Sequence, residues 1–143
     1  MKRIVFFLML VGLVSACASS GGITVESVWG RDSPKTAMAG AVYMQIKNTG
    51  AQPDKLLSAK SDGCGTVELH ESYQEANGMM GMRPVTGGFI PIPAGGTVEL
   101  KVGGLHVMCI NRKVDFTVGT KVPLTLMFEK AGEIKVVADI RAQ

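Results

Sequence analysis

Residues 40–47, Gly40-Ala41-Val42-Tyr43-Met44-Gln45-Ile46-Lys47, decide the fold class: Val42, Met44 and Ile46 form one apolar set, and Ala41, Tyr43 and Gln45 alternate with them. Successive side chains of an extended strand point to opposite faces, so a period of two makes a strand with its even-numbered face buried. Asn48-Thr49-Gly50 ends it with turn chemistry. The same pattern recurs on both sides. Ile23 to Trp29 reads as the first strand, with its tryptophan, the only one in the chain, expected in the core and a lid beside a site as the alternative. Arg31 to Met38, containing Asp32, Ser33 and Pro34, is a loop. Further strands are expected at Asp54 to Ser61, at Thr66 to Glu71 with Val67 and Leu69 inward, at Thr97 to Val102 and at Leu105 to Cys109. Gly63-Cys64-Gly65 interrupts, Met79 to Pro84 reads as a loop, and the proline-rich run Pro84 to Pro93 as loop or edge strand. A short strand is expected within residues 114–118, and a hairpin at Val122 to Glu129 and Glu133 to Ile140, closed by Lys130-Ala131-Gly132. Roughly eight or nine short strands with glycine-rich turns, and no sustained helical periodicity after the first residues, predict an all-β, antiparallel sandwich or barrel.

The amino terminus is of another kind. Met1-Lys2-Arg3 precedes an apolar run from Ile4 to Val14, then Ser15-Ala16-Cys17. A basic start, a short apolar run and small residues before the cut make a secretory signal, and the run is too short to span a bilayer. Val14-Ser15-Ala16-Cys17 resembles a bacterial lipobox, which makes residues 1–16 a lipoprotein signal peptide and Cys17 the lipidated first residue of the mature chain; simple cleavage near Ala16 or Ala18 is the alternative. Residues 17–22 are then a small polar tether, and residues 23–143 a single domain anchored to a membrane. Without the signal the chain carries 13 basic and 12 acidic residues, a net charge of +1. Scattered, nearly balanced charge excludes a nucleic-acid partner. Cys64 and Cys109 remain, in a compartment where disulfides persist. A disulfide is the leading reading, with free buried thiols, or Cys109 lending a thiolate to a metal, as alternatives.

Chemistry concentrates in four places. His106 and Met108 in Leu105-His106-Val107-Met108-Cys109 share one strand face, while Cys109 points to the other. His70 lies on the outward face of its strand, near the end. Three methionines fall within Met79-Met80-Gly81-Met82. Methionine in cores usually occurs singly, filling an irregular gap, and a loop that exposes several thioethers risks oxidation unless it uses them. Brought together, His70, Met82, His106 and Met108 would suit copper(I), a soft ion held by thioether and imidazole, while two thioethers among four donors select against zinc. Donors without charge release the ion readily, as a carrier requires. Thiolate would hold it harder but is liable to oxidation outside the cytoplasm.

At these residues the chain resembles the PCu(A)C-type periplasmic copper chaperone family, whose motif is a His, ten residues, a Met, twenty-one residues and His-x-Met. Met80-Gly81-Met82-Arg83-Pro84 matches the family's methionine setting, which puts the ligand methionine on Met82 and the first histidine on His70, with His106 and Met108 completing the motif. Ile92 to Lys101, Val122 to Leu126 and Asn48-Thr49-Gly50 also look like family segments. Eleven residues separate His70 from Met82 and twenty-three separate Met82 from His106, so both gaps are longer than the motif's, and Met80 stands as an alternative ligand. The added residues fall in glycine- and proline-rich stretches, where insertions cost little. The resemblance implies a cupredoxin-like antiparallel Greek-key β-sandwich and a periplasmic, lipid-anchored carrier of copper(I). It further implies delivery to a copper-accepting protein, such as the binuclear copper centre of cytochrome c oxidase, sometimes beside a thiol-bearing Sco-type partner. The motif includes neither Cys64 nor Cys109. No nucleophile, base and orienting acid stand together, so no enzyme is expected. The alternative function is a non-metal interaction module that presents a methionine patch to a protein partner.

Overall fold

Val42, Met44 and Ile46 are buried to within 1% of their surface, and the strand carrying them, β2 (Ala39–Asn48), is the spine of the sheet. The computed structural model describes residues 22–142, so the signal peptide, Cys17 and all of the tether except Gly22 lie outside the described residues. The other strands are β1 (Ile23–Arg31), β3 (Asp54–Lys60), β4 (Cys64–Gln74), β5 (Met80–Pro84), β6 (Ile90–Ile92), β7 (Thr97–Leu100), β8 (Leu105–Arg112), β9 (Lys121–Phe128) and β10 (Gly132–Arg141). Their spatial order is β5-β4-β8-β2-β1-β10-β9-β3-β6, with β7 also on β2. The chain crosses between the two ends of this order at β2–β3, β3–β4, β5–β6, β6–β7 and β8–β9, and the sheet closes over itself as a cupredoxin-like sandwich. Val42, Ile46, Leu56, Leu100, Val107, Leu126 and Ile140 fill the interior. All ladders among the described residues are antiparallel except β1 with β10.

Four local expectations are corrected. Cys64 and Gly65 begin β4 rather than interrupting it, and Met80–Pro84 is an edge strand on β4 rather than a loop. Residues 114–118 form no strand: Phe116 is fully buried over Gly40, while Val118 is 63% exposed, so one anchoring ring replaces alternation. Trp29 is not in the core but half-buried on the outer face, stacked on Tyr43 with ring centroids 4.7 Å apart. The cause is a bulge at Ser27, which has φ of 52°, between the pairs Glu26–Gln45 and Trp29–Tyr43. One extra residue there reverses the parity that Ile23 and Val25 had set.

Two devices hold the ends of the sandwich. Asp54, 5% exposed, accepts backbone N–H bonds from Lys55, Lys130 and Ala131 at 2.7, 2.9 and 2.9 Å and so fixes the β9–β10 turn. Burial alone would raise its pKa, but these donors outweigh it and hold the carboxyl below its usual range. Phe116 packs so closely on Gly40 that a methyl there would meet its ring at 2.4 Å. Gly40→Ala is therefore expected to cost about 1–3 kcal/mol of stability, as overpacking does, read as a lower urea midpoint with an unchanged m-value.

Candidate metal centre

The outer face of β4 and β8 carries the two histidines side by side. His70 pairs directly with His106 across the antiparallel ladder, and their ring centroids are 5.8 Å apart. His106 reaches this position because the chain leaves β2 after Leu100, turns through residues 101–104 and rejoins β2 at Val107. Gly103, with φ of 77°, supplies the left-handed step in that turn. His106 Nδ1–H then donates back to the Gly104 carbonyl at 3.0 Å. His70 Nε2–H donates to Glu68 Oε2 at 2.8 Å, two residues earlier on the same strand face.

Each ring is thus oriented through one nitrogen, and the other is left over. His70 Nδ1 and His106 Nε2 are both buried and have no hydrogen-bond partner. A buried polar atom in that state costs on the order of 1–3 kcal/mol, so two on facing residues of one rung mark a place built for an electron-pair acceptor. Burial drives the His106 pKa below 6.5, the Gly104 bond opposes this and the nearby His70 adds to it, so the ring is neutral at pH 7 with Nε2 bearing a lone pair. The unfolded chain takes up this proton more readily than the folded one. The stability His106 preserves above pH 6.5 should therefore be lost as pH falls below that value, and level off below the folded pKa. Proton NMR of His106 should give a midpoint under 6.5, with the urea midpoint declining over the same interval.

Two thioethers share the strand faces of this pair. Met108 follows His106 on the same face, opposite Glu68. Met82 pairs with Ser72, the next residue after His70 on that face of β4, whereas Met80 pairs with Gln74, one rung further away. Met82 and Met108 both border an open cavity of about 420 Å³, whose other walls include Tyr43, Ala41, Arg31 and Ser33; Met80 is not among its lining residues. The structure thus brings His70 and His106 together, sets Met82 and Met108 on one hollow that neither histidine lines, and leaves Met80 outside it. Met79, Met80 and Met82 are each about 60% exposed. Among the described residues no three His, Cys, Asp or Glu side chains cluster in a metal-binding arrangement, so oxygen and thiolate donors do not supply a competing site.

On the core side of the same two strands, Cys64 and Cys109 form a disulfide with Cα atoms 5.4 Å apart. Neither sulfur is a free thiol, and Cys109 lies across the sheet from the histidines, so the thiolate-ligand alternative does not hold. Sequence reasoning overlooked Glu68 and Tyr43. Glu68 was legible as the residue two before His70 on one face; Tyr43, 6.2 Å from His106 between ring centroids, depends on β2 meeting β8 and was not. Burial raises the Tyr43 pKa and the Arg31 guanidinium opposes the rise, which places that cation near the phenol.

A family profile described as "Putative lipoprotein LpqE-like" matches residues 23–140. The chain belongs to the LpqE-like family. Among relatives of this LpqE-like protein, a putative lipoprotein of Leifsonia xyli subsp. xyli is 31% identical over 84% of the chain and 70% of its own length. An uncharacterized protein of Rickettsia prowazekii is 29% identical over 62% of the chain and 48% of its own length. Among solved structures, the apo PCuAC domain from PmoF1 has a TM-score of 0.73 at 28% identity, covering 87% of this chain and 97% of that one. The copper-bound PCuAC domain from PmoF2 has a TM-score of 0.70 at 27% identity, with the same coverage. The copper(I) form of DR1885 from Deinococcus radiodurans has a TM-score of 0.66 at 28% identity, covering 91% and 84%. The LpqE-like chain is therefore of PCuAC type, with that domain's β-sandwich.

Proposed function

We propose that this LpqE-like protein is an exported, lipid-anchored copper(I) carrier that holds the ion with His70 Nδ1, His106 Nε2, Met82 Sδ and Met108 Sδ and hands it to an acceptor protein. The pair of buried, partnerless imidazole nitrogens on facing residues carries the reading. Copper in the PmoF2 and DR1885 structures supports it, and the lipoprotein name of the family supports attachment through Cys17 on the periplasmic side.

The chemistry follows from what the side chains offer. Glu68 and the Gly104 carbonyl lock the two tautomers, so each ring keeps its other nitrogen as a free lone pair without rearrangement. Neutral imidazole and thioether satisfy a soft monovalent ion but do not trap it. Met82, on an exposed edge strand, is the donor an acceptor reaches first, so transfer proceeds by replacing it with an acceptor's sulfur or imidazole. The binuclear copper centre of cytochrome c oxidase, alone or through a Sco-type protein, is the acceptor the reading favours, and the protein acts as carrier rather than catalyst. Among the described residues no helix is long and apolar enough to cross a membrane. X-ray absorption of the protein loaded with one equivalent of copper(I) is expected to show two nitrogen and two sulfur neighbours. A shell of oxygen, or of nitrogen alone, would overturn the assignment.

A further inference from the structure

The cavity beside the thioethers has a second chemical end. Arg31, which lines it, pairs directly with Arg141 across the parallel β1–β10 ladder, and Arg141 lies over the Trp29 ring at 4.4 Å. Like charges placed opposite each other are unfavourable, yet among the described residues neither guanidinium joins an ion pair. Nearby Asp139 is taken by Lys121, and Asp32 on the cavity wall offsets only one of the two charges. The wall itself is fixed: Arg112 donates to Ser33 Oγ and the Pro34 and Ala37 carbonyls, at 2.8, 2.8 and 2.9 Å. Arg141 itself does not line the cavity but stands beside Arg31, and the lining shared with Met82 and Met108 includes Ala39, Gly40, Ala41 and Tyr43, mostly apolar. A volume of about 420 Å³ is in the range of small-ligand sites.

We infer that this cavity is an exchange port for ligands that carry a carboxylate and a soft donor, binding the carboxylate on Arg31 and Arg141 and presenting sulfur to copper held at Met82 and Met108. The anchor stands on the arginines and the cavity alone; the exchange step rests on the copper(I) reading. In that step copper stays copper(I): the incoming thiol sulfur bonds to it, a methionine sulfur leaves, and the thiol proton passes to water. A guanidinium–carboxylate contact is directional and charge-assisted, so it aligns the donor before the metal bond forms.

Two measurements separate anchor from exchange. In the copper-free protein, N-acetylmethionine should bind about tenfold tighter than N-acetylmethionine amide, with NMR shifts at residues 31–34 and 41, and Arg31→Gln/Arg141→Gln should bring the two to equality. In the loaded protein, the rate of copper removal by mercaptoacetate relative to mercaptoacetamide should fall about tenfold in the same double variant, while copper(I) affinity, set by competition with a chromophoric chelator, stays as in wild type. Equal binding of acid and amide to wild type would overturn the anchor. Anchor binding with an unchanged removal ratio would overturn the exchange role, and a wild-type protein that takes up no copper(I) would sink the carrier reading while the first measurement still judges the anchor.

Discussion

His106→Leu is expected to lower copper(I) affinity by more than about 100-fold, beyond the usual effect of losing a residue that only orients a ligand, while the copper-free protein stays within about 1 kcal/mol of wild-type stability. The two halves have one cause. His106 is 2% exposed and its Nε2 has no partner, so leucine removes a ligand and at the same time an unsatisfied polar atom from a buried position. The lost bond to the Gly104 carbonyl works in the other direction and limits any gain. Met82→Ala should weaken binding comparably, whereas Met80→Ala, one rung further from His70 and away from the cavity, should change it less than about threefold, within ordinary surface effects of under 1 kcal/mol. Competition against a chromophoric copper(I) chelator, with urea unfolding of each apo variant, measures all three. Unchanged affinity in both His106→Leu and Met82→Ala would remove the site.

Cys64→Ala/Cys109→Ala should cost about 4 kcal/mol of stability, the chain-entropy value for freeing a loop of 45 residues. For a domain of this size that lowers the melting temperature by on the order of 15 °C. The effect should reach the metal as well, because the disulfide ties together β4 and β8, whose register sets His70 against His106. Copper(I) affinity is expected to fall with the stability, even though both cysteines lie on the far face of the sheet. Chemical unfolding of the double variant and of wild type under reducing conditions should agree; a loss under about 1 kcal/mol would mean that core packing alone fixes the register.

Local sequence carried most of the strand pattern and failed where a single residue resets parity. Alternation in β2 names Val42, Met44 and Ile46 as core, because a strand with one buried face has no other way to arrange them. Alternation in β1 puts Trp29 inside, and the bulge at Ser27 moves it out; a serine in left-handed backbone carries little local signature. Residues 80–84 look like a loop because a glycine and a proline interrupt them and no apolar alternation runs through them, yet β4 gives them a partner and makes them an edge. Phe116 is buried by contact with Gly40, 76 positions away, a spacing that no local window spans.

By itself the sequence determined the all-β class, the strand that forms the spine, the donor types suited to a soft ion and the candidates His70, Met82, His106 and Met108, because periodicity and side-chain chemistry are local properties. Only the tertiary structure decided that His70 faces His106, that one nitrogen of each is oriented and the other left bare, that Met82 rather than Met80 borders the hollow with Met108, and that Arg31 meets Arg141 beside it. Those facts are set by which strands lie next to each other and in what register. Register is a balance among distant segments, struck when the core closes.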